Sequence, residues 1–461
     1  MTAFWLELKS TFRSFIFLAL ILVLIAFQAV QFVQLRKAGL FTESQVSQEN
    51  LAYLRKSESW LRYWQKQETN FNELGGTGSR YSLETIEFHL DWYEYEEKLA
   101  RGIVRSFAEK DWPQYNRLRA EKGLLDWGIL AAFVDWTNIY NTFVTPQQYF
   151  GEKWAEYESL VNSREVRRLP ESVLQGRGLS SAEHTALTTS YYLQLLEKGT
   201  PPGGPLCLTP WAFLFIFLRE SLPSVLAIFV LLVTVNLLSR EKKFGAIKTN
   251  LQRPKSRARF LARKISLGFV SSFFLVSVPQ FLFFLLLGIT QGFAGANQPT
   301  LLNRDILTWS TSSDYAYLLR WSRSSTVGLS QYVRSVWGNG ALERLDFIPL
   351  WQSLCLTLAV LALFLLFCSV LGTLISLLIG NETAAQVVAA GIFALGSTFG
   401  RLWPKEAGSA WDLFAKARVV TLLEGNQAAT FLKSVVFLGA AVFFLFGLSL
   451  LTFRKQDVIS N

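Results

Sequence analysis

The chain has 461 residues, 51% of them hydrophobic and 17% charged, and a mean hydropathy of +0.26; soluble domains carry about a quarter charged residues. That balance excludes an ordinary soluble protein and makes a membrane protein the first class to test. The net charge of +10 would point to nucleic acid in a soluble chain, but here Arg240–Lys264 holds ten Lys/Arg and one Glu, so the excess sits in one segment and no nucleic-acid partner is expected.

A helical crossing needs about 20 apolar residues, because the hydrocarbon core is about 30 Å thick and a helix rises about 1.5 Å per residue. Residues 1–14 set Trp5, Leu8 and Phe12, with Phe15 beyond, at helical spacing, while Glu7, Lys9 and Arg13 lie elsewhere around the wheel. The pattern predicts a cytoplasmic interfacial helix, or else an extended first span. Residues 15–35 form that span without one charged residue. Its length exceeds the apolar region of a signal peptide and no small-x-small site follows, so it is read as retained. Gln28, Gln31 and Gln34 recur every third residue in it. They would line a translocation path or a subunit interface, or simply hydrogen-bond between helices.

Residues 36–209 are expected to form an extracellular domain, rich in Trp and Tyr. Glu94 with Lys98, and Glu97 with Arg101, are i,i+4 pairs in the favourable order. Ser180 and Glu183 form a capping box, and Gly199 stops that helix ahead of Pro201 and Pro202. A helical domain follows, with breaks near Gly75 and Gly203. It contains one cysteine, Cys207, and so no internal disulfide. Glu84, Glu87, His89, Asp91 and Glu94 invite a metal or acid–base reading, but Glu87 and His89 do not share a helix face, and a solvated surface is the plainer account.

Residues 210–238 are the second span. Arg219 and Glu220 stand about 30 Å from Arg240 along a helix, at the opposite membrane boundary, where they would either gate the outer exit or snorkel to headgroups. Residues 239–264 follow as a cytoplasmic loop, 265–291 as the third span and 292–349 as a second extracellular loop. Pro279-Gln280 is expected to kink the third span, as a hinge or as a static bend. The fourth span is 350–379, with Cys355 and Cys368. The fifth, 383–400, is rich in Ala and Gly and suited to close helix packing. Asn381 and Glu382 in the turn before it would face the cytoplasm, near an ATPase or merely solvated. An extracellular or re-entrant segment, 401–433, the sixth span, 434–453, and a cytoplasmic tail, 454–461, complete an all-α polytopic architecture. Short basic loops stay inside while long domains cross regardless of charge. Arg36 to Leu208 carries 20 Lys/Arg and 23 Asp/Glu, which places it outside and both termini inside.

The order Arg240-Glu241, Gly245, Leu251, Pro254, Ser256-Arg257, Leu261 and Lys264 between two spans resembles the cytoplasmic coupling loop of ABC-2 type (type V) ABC transporter permeases. The six-span layout, the interfacial start and the large insert after the first span resemble the same family. Ala246 stands where Thr is commoner there, and Lys255 replaces an apolar residue. The resemblance implies that Arg240, Glu241, Gly245, Pro254, Ser256, Arg257 and Lys264 contact an ATPase through a coupling helix. It implies two cytoplasmic ATP-binding subunits, a second permease copy or paralogue, and an exporter in the plasma membrane. The chain's own residues agree: Gly245 permits a turn and Pro254 suits the first position of a short helix. The plainer reading of the basic loop is a topology signal and lipid anchor.

No G-x-x-x-x-G-K-[ST] phosphate loop is present. No catalytic residue, metal or cofactor is therefore expected in this chain, and ATP and Mg would be used by the partner subunit. Aromatic-rich walls point to a hydrophobic or amphipathic cargo such as a peptide, lipid or drug. The alternative is a multi-pass receptor or sensor whose helical domain binds a partner; a membrane-embedded transferase would want an acidic or His cluster at one boundary, which the sequence lacks.

Overall fold

A computed structural model describes residues 2–37, 43–75, 79, 81–133, 180–202, 209–243, 257–304, 324–333, 345–402, 412–427 and 429–455. The described residues are mostly helical and form a bundle with a domain at one end.

Helix α1 (Thr2–Phe12) and α2 (Phe15–Lys37) are separate helices. Ser14 Oγ accepts from Phe17 N at 3.3 Å and starts the second, so the extended-span alternative does not hold. Leu8 is the buried residue of the expected apolar stripe, while Trp5 and Phe15 are exposed.

The insert begins with α3 (Glu43–Glu73) and α4 (Leu83–Ala108), which pack antiparallel: Arg101 bonds Glu58 at 2.9 Å, and Trp64 stacks on His89. Ser82 caps α4 by accepting from Thr85 N. Helices α5 (Trp112–Phe133) and α6 (Ser180–Lys198) form a second antiparallel pair, tied by Asn116 Nδ2 to Thr200 O at 2.9 Å and by Arg119 over the Tyr192 ring. Gly199, at φ +58°, closes α6 in a Schellman motif: Thr200 N bonds Leu195 O and Gly199 N bonds Leu196 O. The expected helical character is present, as is the Glu97–Arg101 pair.

Two small sheets depart from the all-α expectation. Within 292–349, strand β1 (Pro299–Asn303) pairs antiparallel with β4 (Leu345–Pro349), Pro299 opposite Pro349, and β2 (Ser324–Val327) forms a hairpin with β3 (Ser330–Val333). Gly328, at φ +58°, turns the hairpin against Tyr191, where a Cβ would clash. Leu187, Tyr191 and Leu195 of α6 share a core with Leu301, Val327, Tyr332 and Phe347. The strands are buried because α6 covers them.

The bundle consists of α7 (Pro210–Ile216), α8 (Leu222–Lys243), α9 (Arg257–Gln291), α10 (Leu350–Leu378), α11 (Glu382–Leu402), α12 (Val419–Leu423) and α13 (Phe431–Lys455), with α2 against α9. A π-helical turn, Phe217–Ser221, joins α7 to α8. Among the described residues α2, α9, α10 and α13 are long and apolar enough to cross a membrane; α7 and α8 qualify together as a pair bent by 79°. The expected fifth span is α11, whose apolar stretch, Glu382–Gly396, is shorter than a crossing. Pro279 sits inside α9, which runs continuously from Arg257 to Gln291. The sharp bend lies between Ser221 and Val225, after the π turn and at Pro223, which has no N–H to donate back along the helix.

Close packing is found where α8, α9 and α10 meet. A Cβ on Gly372 of α10 would fall 2.9 Å from Thr234 Cβ of α8, one on Gly268 of α9 would fall 3.0 Å from Thr234 Cγ2, and Ser376 Oγ bonds Val235 O at 2.8 Å. Small residues let the backbones approach. On α11, Ala385 and Ala389 are buried while Ala384, Gly391 and Ala394 are exposed.

Candidate functional site

Two ends of the bundle and one flank carry its polar chemistry. At the first end, α8 and α9 run toward residues 244–256. Arg240 and Glu241 lie in the last turns of α8, their side chains outside the described residues, as are Gly245, Pro254 and Ser256 altogether. What flanks that segment is described closely. Lys242 Nζ donates to Ser376 O at 2.7 Å and Leu377 O at 2.9 Å, two terminal carbonyls of α10. Arg257 Nη1, at the first residue of α9, donates to Phe453 O at 3.3 Å and Arg454 O at 3.0 Å at the end of α13. The last carbonyls of a helix have no partner within it and carry partial negative charge, so a cation there satisfies both needs.

Lys264, 3% exposed, reaches Glu7 Oε2 of α1 at 2.8 Å, and Arg263 also pairs with Glu7. Arg257 and Lys264, grouped with the ATPase-contacting residues on the resemblance, thus spend their charge on neighbouring helices. Leu238, Phe260, Leu377 and Phe453 form the apolar layer beneath, with Phe260 stacked on Phe453. Asn381 caps α11 close by: its Oδ1 accepts from Thr383 N and Ala384 N.

This end-frame is built on the segment that carries the sequence resemblance. A comparison with known families matches the chain to the description "ABC-2 family transporter protein" over residues 1–411. The chain belongs to the ABC-2 transporter family. No curated protein and no solved structure matches it significantly. Membership supports a transport role in a membrane, and with it a multi-pass permease of a kind that generally leaves ATP hydrolysis to other subunits.

At the opposite end of this ABC-2 chain, Arg219 of the π turn is 8% exposed rather than snorkelling. Its Nη1 donates to Leu329 O at the hairpin tip at 2.6 Å and lies 3.6 Å from Glu424 Oε1, while Nη2 bonds Glu220 Oε1 at 2.7 Å. Glu424, 1% exposed just beyond α12, accepts from Gln331 N at 3.0 Å, and Asn426 Nδ2 donates to Gln331 O. Burial pushes the Glu424 carboxyl up to about 7 against the pull of Arg219. The sequence singled out Arg219 and Glu220 but not Glu424; its signal is one acidic residue closing the apolar run VVTLLEG.

Along the flank, Gln28 is fully buried and Gln31 is 7% exposed, whereas Gln34 faces outward. Gln28 has neither amide atom hydrogen-bonded, nor has Gln31 its Oε1. Gln28 and Gln31 point into the bundle and Gln34 out of it. Gln280, one residue after Pro279, lines a cavity of about 310 Å³ between α7, α9 and α10. Farther out, the acidic group around His89 holds no metal cluster among the described residues. His89 lies flat on Trp64 with ring centroids 3.9 Å apart, and burial lowers its pKa to about 4, so it is a neutral packing residue. Of the cysteines, Cys355 is exposed and Cys368 buried, both free; Cys207 falls outside the described residues.

Proposed function

We propose that this chain is the permease subunit of an ATP-driven exporter in the plasma membrane, moving a hydrophobic or amphipathic cargo outward. In this reading 239–264 and both termini are cytoplasmic, 36–209 and 292–349 are extracellular, and the membrane is crossed six times. The C-termini of α8, α10 and α13 gather at one end, and α12 and the start of α13 lie at the other, near Arg219. The chain between 379 and 430 must therefore traverse the bundle. Helix α11 and residues 412–423 share that distance, Phe414 packing on Gly396 and Phe393, and the short apolar length of α11 fits a shared crossing.

The observation that carries the proposal is the end-frame. Residues 244–256 are bounded by α8 and α9, and those two helices are fastened to α10 by Lys242, to α13 by Arg257 and to α1 by Arg263 and Lys264. A displacement imposed on 244–256 would be passed to all of these helices together, which is what a coupling segment requires. Two cytoplasmic ATP-binding subunits, using ATP and Mg, would dock there, with a second permease copy or paralogue alongside. The test is co-purification of the ATP-binding subunit with Arg253→Glu/Lys255→Glu, which reverses two charges of the loop and leaves Arg257 to cap α13. Lost association with normal membrane insertion is expected; unchanged association would sink the coupling role.

A further inference from the structure

The cavity beside Gln280 carries a second proposal. Its walls are Trp211, Leu214 and Leu218 on one side, Leu361 and Leu365 on another, and the α9 face from Phe273 to Phe284. Trp211 has its indole N–H committed to Phe293 O at 3.0 Å. Gln280 is 9% exposed, lines the cavity, and has hydrogen bonds at neither its Oε1 nor its Nε2.

A buried amide without partners is costly, and native interiors rarely keep one without a reason. An apolar wall with a few polar groups, here Gln280 and the Ser277 hydroxyl, is the usual composition of a small-molecule site, and the volume reaches the lower end of the range such sites occupy, about 300–1,000 Å³. The rim shows where a ligand would enter: Phe281, Phe273 and Leu358 stand 61%, 43% and 47% exposed on it, on helices apolar enough to face lipid. Gln280 also lies about 16 Å along α9 from its end at Gln291, which is deep in the hydrocarbon layer if α9 crosses.

We propose that this cavity binds, from the membrane, an apolar molecule bearing one uncharged hydrogen-bonding group, an amide, ester or hydroxyl, that pairs with the Gln280 carboxamide. A charged headgroup would find no counter-ion among the lining residues, and a plain hydrocarbon would leave Gln280 unsatisfied. The proposal rests on the transporter reading only for the membrane placement of α9 and α10. Binding needs no ATP-binding subunit, so it fails or stands apart from the coupling role.

The probe pair is 10-bromodecanamide and 1-bromodecane, added to the full chain in lipid nanodiscs. Bromine quenches tryptophan at short range, and the quenching lost on Trp211→Phe isolates the signal of this cavity. At equal mole fraction in the lipid, the amide is expected to bind about tenfold more tightly than the bromoalkane. Gln280→Leu should bring the two to parity. Ala362→Trp, which fills the space from α10, should abolish the Trp211-dependent quenching by both, and it tests the site independently should Gln280→Leu not fold. Equal binding of the two probes to the unaltered chain, a preference that survives Gln280→Leu, or quenching that survives Ala362→Trp would overturn the proposal.

Discussion

Removing Arg219 tests the polar latch at the domain end, and pH sets how large the effect should be. At 3.6 Å from Glu424, with an effective dielectric near 20, the pair attracts by about 4.6 kcal/mol before desolvation. Orphaning one partner of such a pair generally costs about 3–5 kcal/mol. Glu424, however, can avoid carrying an unpaired charge by taking up a proton. With its carboxyl at about 7, above the ordinary carboxylate range, its protonated form is the one the fold favours. That contribution is complete at pH below the ordinary range and is lost as pH rises through 7.

In Arg219→Met the carboxyl stays neutral further up the pH scale, because the attraction that lowered it is gone. At pH 8 the unaltered protein gains about 1.4 kcal/mol from ionising a group one unit below that pH, and the variant does not. At pH 6 neither gains it. A pH-independent loss of about 1–3 kcal/mol is added because Leu329 O loses its donor. Glu220 and Asn426, the other polar groups at the cluster, remain in both proteins. The assay is thermal unfolding followed by thiol labelling of Cys368, wholly buried, with Cys207 and Cys355 changed to Ser. The unfolding midpoint of Arg219→Met should fall below that of the control at both pH values, with the gap wider at pH 8. An equal gap at pH 6 and pH 8, or none, would refute the argument.

Three further predictions follow from the bundle. Lys242→Met leaves two terminal carbonyls of α10 without their donor and should lower stability by about 1–3 kcal/mol, with partial recovery in Lys242→Arg, read in the same thiol assay. Gly372→Val forces a side chain against Thr234 and should cost about 1–3 kcal/mol; Thr234→Ala should restore part of it, and full stability of Gly372→Val alone would contradict the close approach of α8 and α10. Glu7→Lys sets a third cation beside Arg263 and Lys264, so α1 should detach and trypsin should cut after Lys9 several-fold faster, whereas unchanged cleavage would mean that the pairing does not hold α1.

The long apolar helices were legible because membrane crossing is a summed, local property. The expected 15–35, 265–291, 350–379 and 434–453 lie within or nearly coincide with Phe15–Lys37, Arg257–Gln291, Leu350–Leu378 and Phe431–Lys455. The strands were not legible: PTLLN and LDFIP are five residues each, they pair across a long stretch of chain, and the apolar face that buries them belongs to α6. Pro223 went unread, although the sharp bend of the second span lies beside it. The end-frame was half legible. Its charges stood out as a cluster, but pattern alone does not say which helices they touch: Arg257 bonds the end of α13 and Lys264 pairs with Glu7 of α1. Glu424 escaped notice because its partner lies on another helix, far away in sequence.

The strands laid against α6 also set a schedule for synthesis. Helix α6 is complete at Lys198, but the strand that finishes its covering, Leu345–Pro349, comes last of the four. At about 5–20 residues per second, the ribosome needs roughly seven to thirty seconds to supply it. Throughout that interval the cover over Leu187, Tyr191 and Leu195 is incomplete, while α7, α8 and α9 are being made. The domain therefore cannot mature ahead of the bundle: its last structural piece arrives only after α9 has been made, so a chain stalled or truncated within α9 would carry an uncovered apolar face that quality-control proteases can recognise.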